Sequence, residues 1–238
     1  SAPDLRLARR LLVTTYLRTG QVDRAIAALP ADLATSDRDP ALLSVAGQAY
    51  MVKGQVDQAQ VYFARAAKLD PDDASKRTTL AVSQLAAGKT DVAIDSLQDI
   101  AASDAGVSAD LALINAHLRM RKIDDALKAI DALEKKRPSD PLPWQLRGRA
   151  LLLRSDVAGA RQAFERAQTI NPDYFAATAA LAALDMAARQ PEKARERLQA
   201  VIDRNPKNVQ ALLAMAEVQS ASNAAPDDVA ALLRKAVD

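Results

Sequence analysis

The chain has 238 residues, 49% hydrophobic but only 3% aromatic, with 32 basic and 30 acidic residues for a formal net charge of +2. That is enough apolar material for a large core, and the dominance of Ala and Leu favours helix over sheet. The absence of cysteine excludes disulfides, thiolate chemistry and a cysteine-ligated metal. The charges are interspersed, so no basic stripe invites nucleic acid. No apolar run reaches the roughly 18 residues a bilayer span needs. Ser1-Ala2-Pro3-Asp4 carries neither an initiator Met nor a signal peptide, and is expected to open an excised segment or a mature fragment.

Taken in order, the chain divides into seven stretches, each predicted to form two antiparallel helices. In the first, 6–39, Val13 takes a small position, Tyr16 a bulky one, Gly20 the turn and Ala25 the facing small position. Pro30 falls inside the expected second helix, which should end at Leu29 or give way to a turn starting at Pro30, leaving 31–39 partly irregular. The second stretch, 40–73, places Gly47, Tyr50, Gly54, Ala59, Phe63, Ala66 and Pro71 in the same frame. The third, 74–106, is one residue shorter; it keeps Ala81, Gly88, Ala93, Leu97 and Ile100, with Gly106 expected to turn in place of a closing proline.

The fourth stretch, 107–140, is framed by Ile114, His117, Ala126, Ile130, Leu133 and Pro138. The fifth, 141–174, is the fullest, with Trp144, Gly148, Ala160, Phe164, Ala167 and Pro172 all in place. Gly148 and Ala160 carry almost no side chain, so the two helices can approach there, while Trp144, Leu151 and Phe164 fill the space around the contact. The sixth, 175–208, uses Ala182, Ala194, Leu198, Val201 and Pro206, with Pro191 in the first turn of its second helix. The seventh, 209–238, fits Leu212, Met215 and Ala216 to a first helix, then a longer turn over 220–226. Asp227-Asp228 leads a second helix through Val229, Leu233 and Ala236. It lacks a polar capping helix, so the protein is expected to continue past Asp238.

The breakers support the frame. Gly47 and Gly148 share the small position, and Gly20, Gly54 and Gly88 share the inter-helix turn, so five of the seven glycines fall at two places. Pro71, Pro138, Pro172 and Pro206 share the closing position. Over nearly its whole length the chain resembles the tetratricopeptide repeat (TPR) family, whose 34-residue unit runs large, small, bulky, then Ala, Phe and Pro. One departure in the fifth stretch is Arg147, where the pattern wants Leu. The resemblance implies an all-α, right-handed superhelical α-solenoid in which each pair buries its apolar face against its neighbours.

A narrower resemblance covers 151–218. This run is similar to the PrsT-type TPR lipoproteins of the PEP-CTERM/exosortase system of Gram-negative bacteria, chiefly through Asn171-Pro172-Asp173-Tyr174-Phe175 and the run from Asn205 to Ala214. It implies an exported, periplasmic protein, outer-membrane-anchored by lipid upstream of Ser1, serving exopolysaccharide production or protein sorting. The cytoplasm is not excluded by the residues themselves.

No catalytic constellation is legible. His117, the one histidine, occupies the bulky position of Tyr16 and Tyr50 and reads as a packing residue, and one His without Cys makes no zinc site. Asp72-Asp73 and Asp124-Asp125 sit near helix starts, where carboxylates favour the helix dipole. The glycines build no phosphate-cradling loop. No enzyme and no cofactor are expected.

TPR proteins present ligand-facing residues from positions two, five, nine and twelve of their first helices, which line the concave side. Mapped here, the groove offers Arg10, Gln48, Met51, Leu85, Asn115, Leu118, Gln145, Arg149 and Leu152. Asn115 and Arg149 partly echo the family's carboxylate clamp without completing it. Asn115, Gln145 and Arg149 are expected to hydrogen-bond an extended peptide or protein partner, because an amide both donates and accepts while a guanidinium forks onto carboxylate. Met51, Leu85, Leu118 and Leu152 are the expected apolar contacts. The reading is a non-catalytic protein-interaction scaffold. The alternative is a TPR targeting or regulatory domain of a larger enzyme such as a glycosyltransferase. Direct polysaccharide binding ranks last, because Trp144 and most other aromatics are assigned to packing.

Overall fold

A computed structural model describes residues 3–33, 38–222 and 225–237. The described residues form helices and turns, with no strand. The helices are α1 (Pro3–Arg18), α2 (Val22–Ala27), α3 (Pro40–Val52), α4 (Val56–Leu69), α5 (Ala74–Ala86), α6 (Thr90–Ser103) and α7 (Ser108–Arg119). They continue as α8 (Ile123–Lys136), α9 (Leu142–Leu153), α10 (Val157–Ile170), α11 (Phe175–Ala187), α12 (Pro191–Arg204), α13 (Val209–Ala221) and α14 (Pro226–Val237). The fold is all-α, with tandem helix pairs of the α-solenoid type. Contacts divide it into two compact units, Ser1–Ala116 and His117–Asp238.

Inside each unit, helices pack on their neighbours in sequence: α3 on α4, α4 on α5 and α5 on α6 in the first unit, and α9 through α14 likewise in the second. The tightest approach is at the small positions. A Cβ built on Gly47 would fall 2.5 Å from Phe63 Cε1, and one on Gly148 would strike Cε1 of Phe164 as closely. Phe63 and Phe164 are buried. The ring lies over bare backbone, which only glycine leaves open. Where the bulky partner is Leu, the small residue becomes Ala: Ala81 and Leu97 in the first unit, Ala182 and Leu198 in the second, all buried.

The turn within the first six pairs is also uniform. After α3, Gly54 adopts φ 79°, Gly54 N donates to Met51 O and Gln55 N to Tyr50 O at 2.8 Å. This is the six-to-one closure that ends a helix through a left-handed residue. Among the described residues six such turns recur, and three of their left-handed residues are not glycine: Arg121 (φ 59°), Ser155 (φ 64°) and Arg189 (φ 56°). Between pairs, short acceptors cap the next helix. Asp39 accepts from Ala41 N and Leu42 N, and Asn208 from Ala211 N. Asn171 and Asn205, part of the narrower resemblance, each accept from the backbone two residues on, at Asp173 N and Lys207 N. They shape the turns around Pro172 and Pro206.

Two helix ends differ from expectation. α2 stops at Ala27 rather than Leu29, with Leu29 N turned back onto Ile26 O, because Pro30 cannot donate and forces its predecessor out of helix. Residues 34–37 of the expected irregular segment lie outside the described residues. α13 runs on to Ala221, so the long turn expected from Ser220 is shorter; 223 and 224 lie outside the described residues. Gly106 does turn the chain, its N–H bonded to Asp104 Oδ2 at 2.9 Å.

Gly148→Leu should overpack the contact with Phe164 and cost about 1–3 kcal/mol; an unchanged melting temperature in thermal denaturation would contradict the contact. Ser155→Gly and Arg189→Gly should each gain about 0.5–1 kcal/mol by relieving a left-handed side chain, read as a rise in denaturation midpoint.

Candidate functional site

In every pair but the first, where Thr14 is half-buried, the first helix exposes a residue at equivalent points. In the first unit these are Gln48, Val82 and Asn115; in the second they are Arg149, Ala183 and Glu217. The repeat spacing alone accounts for this: when one helix buries the same stripe in every pair, the opposite stripe stays free in every pair.

The predicted groove residues fall unevenly. In the first unit Gln48 and Asn115 are exposed, while Arg10, Met51 and Leu85 are half-buried. In the second, Arg149 is exposed, Leu152 is 36% exposed, and Gln145 is half-buried one turn before Arg149. Leu118, expected as an apolar contact, is only 8% exposed. Its side chain is taken up by packing and offers a ligand almost nothing. Asn115 belongs to the first unit, whereas Gln145 and Arg149 belong to the second.

Arg149 differs from the other arginines on its stretch of chain. Arg147 bonds Asp131 and Glu134, Arg154 bonds Asp124, Arg161 and Arg197 bond Asp185, Arg195 bonds Glu192, and Arg204 bonds Asp173. Arg166 lies over the Trp144 ring, 5.9 Å from its centroid. Among the described residues of α9 to α12, Arg149 alone of the helical arginines has no carboxylate or ring against it. Arg147, the departure from the family pattern, is half-buried, stacks on Trp144 at 5.0 Å and reaches carboxylates of α8. Its charge is satisfied by the helix before it.

Sequence reasoning missed Asp185. It is 0% exposed on α11, with Arg161 Nη1 on one oxygen and Arg197 Nε on the other, each at 2.6 Å. Burial alone would push this carboxyl up, but the bonds from Arg197 and Arg161 outweigh burial and hold it below the usual carboxylate range. The signal was available: a charged residue stands where equivalent positions hold Tyr50 and Leu151. The triad clips α11 between α10 and α12. It is a structural pin, with both oxygens engaged and the carboxylate shut off from solvent.

His117 is 4% exposed, as a packing residue should be, and its Nδ1 has no hydrogen-bond partner. Burial pushes its pKa below the ordinary 6.5, against the opposing pull of Asp125. Tyr62, stacked on Tyr50 at 5.2 Å between centroids, is pushed up to about 12 by burial and by Tyr50. Asp73 is held low mainly by the hydrogen bond from Lys76, whose own pKa rises in return. Among the described residues, no three His, Cys, Asp or Glu side chains gather as a metal site. No helix there is long and apolar enough to cross a membrane.

These shifts set a pH dependence. The folded pKa of His117 is depressed, so the unfolded chain takes its proton first, and stability present above 6.5 is lost as pH falls below it. Asp185 and Asp73 are likewise depressed, so their contributions are present above 3.8 and lost below. Thermal melts across pH should show two acid decrements, and His117→Leu, which copies Leu151, should remove the one between about pH 7 and 5 while leaving the lower one.

Profiles of the tetratricopeptide repeat family match residues 10–74, 44–108 and 111–175, and a second tetratricopeptide repeat profile matches 151–217. No functionally curated protein matches the chain significantly. Among solved structures, the chain is similar to a thermophilic TPR protein of Thermus thermophilus, 19% identical over 76% of this chain and 100% of that one, with a TM-score of 0.54. It is also similar to residues 41 to the end of MamA from Desulfovibrio magneticus RS-1, 19% identical over 73% of this chain and 99% of that one, TM-score 0.56. A third similarity is to PilF of Pseudomonas aeruginosa, 19% identical over 81% and 87%, TM-score 0.55. At these identities the likeness is one of fold. With family profiles covering more than half of its residues, this chain belongs to the tetratricopeptide repeat family.

Proposed function

We propose that the chain is a non-catalytic scaffold that grips a protein or extended peptide along the outward stripe of its first helices. Its helix pairs serve as repeats bounded at 6–39, 40–73, 74–106, 107–140, 141–174, 175–208 and 209–238. The observation that carries this reading is the free guanidinium of Arg149. In a protein that pairs nearly every neighbouring arginine internally, an unpaired one on the outward stripe is available to a partner carboxylate. Gln145 lies one turn before it and Leu152 one turn after, so the second unit offers a fork, an amide and an apolar contact in line. Glu217, on the equivalent point of α13, adds the opposite charge, which favours a partner of mixed polarity. In the first unit, Gln48, Asn115 and the half-buried Met51 and Leu85 offer the same mixture of amides and apolar surface.

The finer proposal is that this scaffold is exported, lipid-anchored and placed in the periplasm, where it serves exopolysaccharide production or PEP-CTERM protein sorting. The run from Leu151 to Val218 supports it. The Asn-Pro turns within that run have a local structural use, so its specificity rests on the remaining residues.

Arg149→Glu tests the scaffold. The residue is exposed, so helicity by circular dichroism should not change, while capture of partners from a native envelope extract should fall. Capture indifferent to the reversal, followed by mass spectrometry of the retained proteins, would remove Arg149 from the site.

A further inference from the structure

Of the exposed points that repeat along the first helices, Gln48, Val82, Asn115 and Ala183 are uncharged. The two charged ones, Arg149 on α9 and Glu217 on α13, have opposite sign and both lie in the second unit. Each stands one repeat of 34 residues from Ala183, the equivalent point of α11. Among the described residues neither side chain has an ion pair or a hydrogen bond.

Packing fixes their arrangement. Leu151 of α9 clusters with Leu181 and Leu184 of α11, and Ala182 of α11 clusters with Met215 and Val218 of α13. The three helices therefore lie side by side with α11 in the middle. Neighbouring axes are about 8–10 Å apart, so Arg149 and Glu217 are separated by about 16–20 Å, too far to meet within one chain. Between them α11 exposes only alanine, at Ala176, Ala183 and Ala187. No long exposed side chain stands between the two charges.

This pattern is its own complement. When a second copy is turned over about a two-fold axis along α11, its Glu217 comes opposite Arg149 and its Arg149 opposite Glu217. The two α11 helices then face each other, alanine to alanine. A closed two-fold interface requires a self-complementary patch of this kind. Two like charges at the same points would repel.

We propose that the outward face of α9, α11 and α13 binds the same face of a second copy of this chain, with Arg149 and Glu217 paired reciprocally. Leu152, 36% exposed one turn after Arg149, and Leu213, 42% exposed one turn before Glu217, supply apolar surface beside the ion pairs. Three helices about 20 Å long at this spacing cover about 500 Å² per copy, at the small end of specific interfaces, so the association is weak and reversible. The inference rests on the reading of this stripe as an interaction surface and names its partner.

Sedimentation equilibrium of the full chain from about 1 to 500 μM tests it. The chain should dimerise, and the association should weaken as salt rises. Arg149→Glu and Glu217→Arg, both at exposed positions, should leave helicity by circular dichroism unchanged. Each should weaken dimerisation about tenfold or more, because the two-fold axis repeats every repulsion. Combining the two substitutions restores opposite charges and should return the dissociation constant to within about threefold of its starting value. A chain that stays monomeric over the whole range overturns the proposal. So does a dimer that is indifferent to either reversal or is not recovered by the combination. If the chain is monomeric yet Arg149→Glu still lowers capture of other proteins from an envelope extract, self-recognition fails and the stripe stands as a site for a different partner. If capture is also unchanged, both readings fail.

Discussion

Two helices of a pair lie closest where one of them gives up its side chain, and much of this structure follows from that contact. Gly47 under Phe63 and Gly148 under Phe164 are the extreme form, with bare backbone against an aromatic ring. Ala81 with Leu97 and Ala182 with Leu198 reach a comparable fit by sharing volume more evenly. In these four pairs a small residue faces a bulky one sixteen positions on, as expected of an interior packed to crystal density, whereas the fourth repeat buries two large residues there, Ile114 and Ile130. Once that contact sets the pair, the uniform left-handed turn follows. So does the stripe that each first helix must leave for its neighbours and the stripe it leaves outside.

The polar residues acquire meaning against this background. Positions that hold Leu43 and Tyr50, or Trp144 and Leu151, are packed in apolar clusters in those repeats. When α11 places Thr178 and Asp185 there, Gln168, Arg161 and Arg197 rise from the flanking helices to satisfy them. A buried carboxylate with two guanidiniums is costly to assemble and contributes positional specificity more than net stability. α5 makes a comparable exchange, but Arg77 Nε and Gln84 Oε1 receive no such partners.

Much of the fold was legible because its signals are local. Gly20, Gly54 and Gly88 announce left-handed turns, Pro191 a helix start, and Gly148 with Phe164 a close approach. The matching turns at Arg121, Ser155 and Arg189 were hidden, because a side chain that tolerates strain leaves no composition signal. The outward stripe was legible at Gln48, Asn115 and Arg149, since exposure repeats with the frame. It was misjudged at Leu118, whose burial depends on how closely neighbouring side chains cover the last turn of α7.

The residues alone determined that this chain is helical, paired and repetitive, because backbone sterics and the helical period act within a few positions and need no partner. Only the tertiary structure decided which charges are spent and which are free. Arg161 meets Asp185 across 24 residues and Arg204 meets Asp173 across 31, while Arg149 and Arg77 meet no carboxylate among the described residues. An arginine looks the same in sequence in all four cases. Its availability depends on which carboxylates the packing of neighbouring helices carries within reach.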